Sequence, residues 1–292
     1  MKKRFAFLVI FLFALFTLHA MSQTKGFTLK ATGGYGTMTT GDYNTMGNSM
    51  FQFLNDMGDL YAGTPTGEFK KLNLGFEFEA EVILNLSAGF GLGVGVGYIM
   101  RSNESTMGLT IPLQGSLSMS ISPDVTAIPI SLSAYYFAPR MVSLKPYAYA
   151  GLGYYIGRIE AVTRTDIVPL TPPAAWTKTD AKIKDQGFGF HVGGGLEFKL
   201  VPKVSLFIEG KARYCKLTSW EGDESYIDSD GLTDETSGKL WYYEGQSPET
   251  GGWYSQIGLQ EDQPTGTGIR NVREFKADFS GIVFRVGIII RL

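Results

Sequence analysis

The 292-residue sequence contains little cysteine and histidine, with one Cys and two His. A single cysteine excludes an intramolecular disulfide framework and a multi-cysteine zinc site. His19 lies in a candidate targeting segment, which leaves His191 as the only histidine of the mature chain. A multi-histidine metal centre is therefore excluded and most histidine-based catalysis is disfavoured. We expect no catalytic residue, metal or cofactor.

Charge is also sparse, at 18% of residues with a net charge of −2, so no basic surface for nucleic acid is expected. Beyond the first twenty residues the sequence lacks long apolar runs. The longest charge-free stretches, 82–100 and 105–123, are interrupted by Gly, Ser or Asn, which disfavours transmembrane helices. Glycine (37 residues) and aromatic residues (13%) are abundant instead. This composition indicates a β-protein with a crowded interior.

The first residues have the pattern of a secretory signal. Lys2, Lys3 and Arg4 precede an apolar run over 5–18, and Ala20-Met21-Ser22 supplies small residues for cleavage. We predict a signal peptide over 1–22 and a mature domain over 23–292. Cleavage after Ala20 and an uncleaved anchor helix are the alternatives, although the apolar run is shorter than the roughly 20 residues that a spanning helix needs.

Eight segments alternate with a period of two between large apolar residues and glycine or polar residues. They cover 27–36, 72–86, 89–100, 126–138, 146–158, 187–200, 204–216 and 282–292. In a soluble sandwich the polar face is solvated and need not be glycine-rich, and a lipocalin-like barrel turns its apolar face inward. A large apolar face opposite a glycine and charged face favours a lipid-facing sheet, which must close on itself. We predict an all-β, eight-stranded antiparallel up-and-down transmembrane β-barrel.

The connections between these segments differ in length. Three are short, near Ser87, 138–145 and 201–203, and four are long, over 37–70, 101–125, 159–186 and 217–274. We predict short periplasmic turns and long extracellular loops, with both termini on the periplasmic side. In the first long loop, apolar residues at helical spacing over 46–60 predict a short helix that caps the barrel mouth or gates a hydrophobic ligand.

The segments Ile128–Phe137, Lys145–Tyr155 and Phe284–Leu292 resemble the small eight-stranded outer-membrane proteins of the OmpA, OmpX and OmpW type. The resemblance implies the outer membrane of a Gram-negative bacterium, and contact with the barrel-assembly machinery and with outer-membrane lipid or lipopolysaccharide. Proteins of this type are anchors, adhesins, small-solute channels and, rarely, lipid enzymes. We expect a monomeric, non-enzymatic surface protein whose loops contact an extracellular ligand. A narrow channel for small hydrophobic or polar solutes and an outer-leaflet lipid enzyme are the alternatives.

The inward positions carry charges that are concentrated on one side of the predicted barrel, opposite a glycine-rich wall. The predicted luminal charge network contains Lys30, Glu77, Glu79, Glu81, Glu197, Lys199, Glu209, Lys211, Arg213, Arg285 and Arg291. Because buried charges need partners, Glu77, Glu79 and Glu81 are expected to pair with Lys30, Arg213 or Arg285. The lumen would then be plugged. The alternative is that the glycine wall leaves a water-filled or ligand-sized cavity.

The remaining candidate sites are weaker. His191, Ser131 and Ser133 are expected to face the lumen without a motif that joins them, and Cys215 is expected to be inert. The last loop is acidic and aromatic, and Asp228-Ser229-Asp230-Gly231 resembles the middle of a calcium loop. Tyr226 and Ser237 occupy the positions of the first and last ligands, so that motif fails. A solvated loop that tolerates deletion of 218–272 is expected, with its aromatics available for contacts or packed on other loops.

Overall fold

The computed structural model describes residues 26–139, 144–171 and 173–292, so the predicted signal peptide lies outside the described residues. These ranges contain helix α1 (Asp42–Tyr61) and fifteen strands. The strands are β1 (Phe27–Thr37), β2 (Thr64–Glu68), β3 (Leu74–Asn85), β4 (Phe90–Ser102), β5 (Ser105–Ile111), β6 (Gly115–Phe137), β7 (Leu144–Pro169), β8 (Ala175–Val201), β9 (Val204–Leu217), β10 (Glu221–Asp228), β11 (Thr233–Gln246), β12 (Trp253–Gln260), β13 (Ile269–Glu274), β14 (Ala277–Asp278) and β15 (Gly281–Arg291). Within the described ranges, no helix is both long and apolar enough to cross a membrane.

Eight strands form a closed antiparallel ring in the order β1-β3-β4-β6-β7-β8-β9-β15. The ring closes where β15 pairs with β1, with Leu29 opposite Ile290 and Tyr35 opposite Phe284. The ring strands are the eight segments of period-two alternation, and the predicted eight-stranded barrel is confirmed. Because neighbouring residues point to opposite faces, each alternating segment presents one apolar and one polar surface.

The outer wall of the barrel is apolar. Large side chains such as Val96, Leu152 and Val286 leave 52%, 65% and 61% of their surface exposed. Aromatic pairs lie near the predicted extracellular ends of the ring strands, with ring centroids 5.1 Å apart in both Tyr35–Phe76 and Tyr154–Phe188. Such a contiguous exposed apolar band is stable in lipid and not in water, and aromatic residues mark its boundary.

The structure corrects the prediction of long loops. Strands β6, β7 and β8 are 23, 26 and 27 residues long, although about 9–11 residues suffice to cross a bilayer. Beyond the barrel, the extensions of these three strands pair with five shorter strands and form a second sheet, which we call the outer sheet. Its strand order is β2-β5-β6-β7-β8-β10-β11-β12. The ranges 101–125, 159–186 and 217–274 are therefore mostly strand. In β7 and β8 the alternation is weak because the core-facing side includes Thr163, Thr165 and Thr179. In β6, by contrast, core-facing apolar residues alternate strictly with serines over 116–122, and this signal was available in the sequence.

Opposite charges explain why the acidic segment after β9 joins this sheet. Glu221 lies directly opposite Lys184, and Asp223 directly opposite Lys182, where β10 pairs with β8. Side chains at directly opposite positions of an antiparallel pair are close neighbours, so opposite charges there favour pairing. The acidic stretch is thus part of the sheet and not a solvated, repulsive loop.

Reversing both lysines, as Lys182→Glu with Lys184→Glu, is expected to loosen β10 by about 1–2 kcal/mol, since two favourable cross-strand pairs become like-charge pairs. Amide hydrogen exchange should then accelerate over 221–228 and stay unchanged in β1 and β3. The matched control is Lys199→Glu with Lys203→Glu, which reverses as many exposed lysines at positions that do not pair with β10. Equal exchange in the two double variants would contradict the explanation.

Helix α1 fills the gap between β2 and β12, the two edges of the outer sheet, and contacts both strands and β5. It includes the predicted helix over 46–60, which is confirmed, and extends beyond it at both ends. Asp42 anchors its first turn by pairing with Arg273 and by accepting from the Lys276 backbone N–H at 2.8 Å. This carboxylate raises the pKa of the Arg273 guanidinium. At the other end, the Tyr254 hydroxyl donates to Asp56 at 2.6 Å.

The apolar face of α1 completes an apolar cluster that we call the outer core. Its buried members include Met38, Leu54, Met107, Ile121, Ile159, Trp220, Leu240, Leu259, Phe275 and Phe279. The indole of Trp220 is stacked on Phe279 and lies edge-on to Phe275, with ring centroids 6.4 Å apart in both pairs. Of the aromatics in the predicted last loop, Trp220, Tyr242 and Tyr254 are buried. The outer core therefore lies over the extracellular mouth of the barrel.

Candidate functional site

Eight buried charged side chains in the middle of the lumen contact one another, and we call this set the luminal network. Each is at most 8% exposed, and the members are Lys30, Glu77, Glu79, Glu81, Glu209, Lys211, Arg213 and Arg285. They come from β1, β3, β9 and β15, where the period of two turns every second residue inward. The four acids and four bases balance in number.

The half of the network nearer the outer core is built on Glu77 and Glu79. The Lys211 ammonium donates to Glu79 Oε2 at 2.8 Å and to Glu77 Oε1 at 3.3 Å. Arg285 pairs with both carboxylates, and Arg213 pairs with Glu77. Ser131 on the opposite wall donates to Glu79 Oε1 at 2.9 Å. These contacts join β3, β6, β9 and β15 across the lumen.

The other half is built around the Lys30 ammonium. It lies 2.7 Å from Glu209 Oε2 and 3.9 Å from Glu81 Oε2. Four ring centroids lie 4.8–5.5 Å from its nitrogen, in Tyr149, Phe207, Tyr135 and Tyr147. Carboxylates and aromatic faces both stabilise a desolvated cation. These two carboxylates and four aromatic rings therefore surround the Lys30 ammonium.

Tyrosine hydroxyls connect this half to the opposite wall. Tyr147 donates to Glu209 Oε2 at 2.7 Å, and Tyr135 donates to Glu81. The Arg285 guanidinium donates to the Tyr149 hydroxyl at 2.8 Å and also pairs with Glu209. Toward the periplasmic end, the aromatic rings continue into a buried cluster with Ile83, Phe137, Phe207 and Ile289. The luminal network thus lies between two apolar layers.

The glycine wall makes room for these long side chains. A Cβ at Gly93 would lie 2.1 Å from Glu81 Oε1, and a Cβ at Gly193 would lie 2.4 Å from the Tyr149 hydroxyl. Both positions favour glycine because a side chain from another strand occupies the space beside the backbone, and at Gly193 the Gly210 carbonyl oxygen would also lie 2.7 Å from the Cβ. The glycine residues therefore serve packing across the lumen.

Three predicted members lie apart from the luminal network. Glu197 and Arg291 pair with each other near the periplasmic end, where Glu197 also accepts from Ser205 at 2.7 Å. Lys199, predicted to face inward, is exposed and forms no ion pair within the described residues. Lys199 is still in register opposite the buried Ser205, at the last regular position before a register shift between Lys199 and Val201 near the periplasmic end of β8.

The sequence analysis missed the tyrosines of the network and Arg101. Alternation does predict that Tyr135 and Tyr149 face inward, but the predicted network contains only charged residues. Arg101 is 1% exposed and donates to the carbonyls of Met100 at 3.0 Å and Gly36 at 3.2 Å. It lies two residues beyond inward-facing Ile99, which is the signal that could have placed it in the lumen.

The structure brings Ser133 and His191 together, with Ser133 Oγ 2.9 Å from Nε2 of the imidazole. Both residues are 2% exposed, and His191 Nδ1 has no hydrogen-bond partner among the residues that the structure describes. A serine nucleophile requires a base that a third group orients, and access for a substrate. This pair has neither.

No cluster of three or more potential metal ligands occurs in the described ranges. Asp228 caps its own turn, where Oδ1 accepts from the backbone N–H groups of Asp230 and Leu232 at 2.9 Å. Cys215 is fully buried.

A closed eight-stranded ring with an apolar exterior and a charged interior defines an integral outer-membrane protein. The model of the outer membrane protein beta-barrel domain family matches residues 8–238, more than three quarters of the chain. The chain therefore belongs to this family.

Solved structures of other outer-membrane proteins match along almost the whole chain. Neisserial surface protein A is 11% identical, with a TM-score of 0.40 and coverage of 92% of this chain and 99% of that one. A major outer membrane protein from Thermus thermophilus is 11% identical, with a TM-score of 0.39 and coverage of 91% of this chain and 99% of that one. OprG from Pseudomonas aeruginosa is 10% identical, with a TM-score of 0.37 and coverage of 92% of this chain and 97% of that one. No curated protein matches the sequence.

Proposed function

We propose that this protein is a non-enzymatic, non-conducting anchor in the outer membrane that displays the outer sheet at the cell surface. The observation that carries the proposal is the luminal network, whose ion pairs cross the lumen between apolar layers. An eight-stranded barrel is just wide enough for side chains to fill. An ion entering this lumen would have to break several desolvated charge pairs, each of which is costly to separate.

The two alternatives have less support. A narrow channel needs a continuous polar path, and the outer core and the aromatic layer lie on either side of the luminal network. An outer-leaflet lipid enzyme needs an accessible nucleophile, and the Ser133–His191 pair is buried.

We also propose contact with outer-leaflet lipid phosphates, including those of lipopolysaccharide. Arg158 and Lys184 are exposed and lie directly opposite each other on β7 and β8, beyond the aromatic pair Tyr154–Phe188. The ammonium of Lys216 lies 5.2 Å from the ring centroid of Tyr214. Cations just above an aromatic boundary are placed where phosphates lie. The ring closes within one chain, which supports a monomer, and its last strand β15 is the segment proposed to contact the barrel-assembly machinery.

Planar-bilayer recording tests the proposed plug. The wild-type protein is expected to give no stable single-channel conductance, because paired side chains cross a lumen that is just wide enough for side chains to fill. Heat-modifiable migration of the same preparation on gels verifies that the barrel is folded. Glu235→Ala, on an exposed position of β11, is the control and should be equally silent. A stable conductance of the wild type would overturn the proposal.

A further inference from the structure

We infer that the tip of the outer sheet docks a protein partner whose contact patch is apolar and bordered by basic residues. This inference deepens the proposed surface function and rests on it. The surface, which we call the distal tip, consists of Leu60, Tyr61, Leu113, Val168 and Leu170. These side chains leave 52%, 39%, 86%, 51% and 65% of their surface exposed.

Backbone pairing brings three separate connections together at the distal tip. Gly115 pairs with Pro169, and the Leu170 N–H donates to the Gln114 carbonyl at 3.0 Å, so the β5–β6 and β7–β8 turns are adjacent. Thr64 pairs with Thr110, which places the end of α1 beside the β5–β6 turn. Five exposed apolar side chains from distant parts of the chain therefore lie at the same end of the outer sheet.

Leu113 has a conformation that folding alone does not favour. Its φ is 61°, in the left-handed region, where a bulky side chain is strained by roughly 1–2 kcal/mol. It is also the most exposed of the five side chains of the tip. Glycine would relieve the strain and remove the exposed apolar surface at once. An outlier of this kind points to a role in contact.

The charges around the tip indicate the chemistry of the partner. The tip segments 60–67, 105–123 and 167–177 contain no charged residue. The nearest bases, Arg164 and Lys178, are already paired with Asp166 and Asp180. Among the bordering residues that form no ion pair within the described residues, four are acids, Asp59, Glu68, Asp228 and Asp230, and two are bases, Lys70 and Lys71, so acids are in excess. An apolar patch with an acidic border is complementary to an apolar patch with a basic border.

The same border disfavours the other occupants. Anionic lipid surfaces and a second copy of the tip both carry negative charge. The protein's own membrane is out of reach, since the twelve residues from Arg158 to Leu170 extend about 40 Å along β7. A protein partner of opposite charge is the occupant that the charges favour.

The test uses the mature protein in zwitterionic nanodiscs and an amphipathic helical peptide of Leu and Lys as the probe. An analogue with Glu in place of Lys is the matched probe, and the signal from empty nanodiscs is subtracted. We expect the basic peptide to bind and the acidic analogue not to bind. Leu113→Gly with Leu170→Ser should weaken binding tenfold or more, because two apolar contacts are lost. Val162→Ser, on the side wall of β7, should not change the affinity.

Equal binding by the tip variant or by the acidic analogue would overturn the inference. Tip-dependent binding of vesicles containing phosphatidylglycerol would overturn it in favour of a membrane. Tip-dependent dimerisation in analytical ultracentrifugation would overturn it in favour of a second copy. Conductance of the wild type would refute the plugged lumen without altering these results, so the two proposals fail separately.

Discussion

Replacing Glu79 with alanine is expected to lower the free energy of unfolding by about 3–5 kcal/mol, the usual cost of leaving a buried charge without its partner. Glu79 accepts from Lys211 at 2.8 Å, from Ser131 at 2.9 Å and from Arg285. After the substitution Lys211 depends on Glu77 alone, which already pairs with Arg213 and Arg285, whereas Arg285 keeps its second partner Glu209. Three bases would then surround one carboxylate in a site from which water is excluded.

Urea unfolding of the protein in detergent micelles, followed by tryptophan fluorescence and by heat-modifiable migration, measures this loss. Glu235→Ala is the matched control and should change the free energy of unfolding by less than about 0.5 kcal/mol, since the side chain is exposed. The double variant Glu79→Leu with Lys211→Met should be more stable than Glu79→Ala, because it removes the stranded charge together with its partner. A loss below about 1 kcal/mol for Glu79→Ala would show that water enters the lumen.

Replacing residues 221–260 with a four-residue Gly-Ser linker is expected to remove the outer sheet's β10–β12 and to leave the barrel intact. None of these strands belongs to the ring. Glu221 and Gln260 both pair with Lys239, from opposite sides of β11, so their backbones lie about 10 Å apart and a short linker spans the gap. The outer core loses Leu240 and Leu259, and α1 loses its contacts with β12.

The variant should keep its heat-modifiable migration and become cleavable by protease within 42–61, whereas α1 of the wild type should be protected. Removal of the turn 229–231 alone is the control and should leave α1 protected, because that turn contributes nothing to the outer core. Failure of the larger deletion to assemble would show that the outer sheet is required for the barrel to close. Protection of α1 in the deletion would show that β12 does not hold the helix.

The sequence by itself determined the barrel. Alternation is a local property, and a strand such as β3 shows its lipid face and its three inward glutamates without reference to any other segment. The lengths of the connections indicated which end of the barrel is periplasmic and which is extracellular. The helical spacing of apolar residues predicted α1. The structure places Lys30 and Glu81 in the lumen, on the faces that alternation assigned to them.

Only the tertiary structure decided which groups meet. Lys30 and Glu209 are separated by 179 residues, and Arg285 and Glu77 by 208. Their pairing depends on ring closure and on the register of every intervening strand, which no local pattern contains. The outer sheet was not predicted for a related reason. The acidic segment that forms β10 shows little difference in polarity between its two faces, and its role as a strand is clear only when its acids lie opposite the lysines of β8. Local periodicity specifies faces, whereas partners are selected by the closure of the whole sheet.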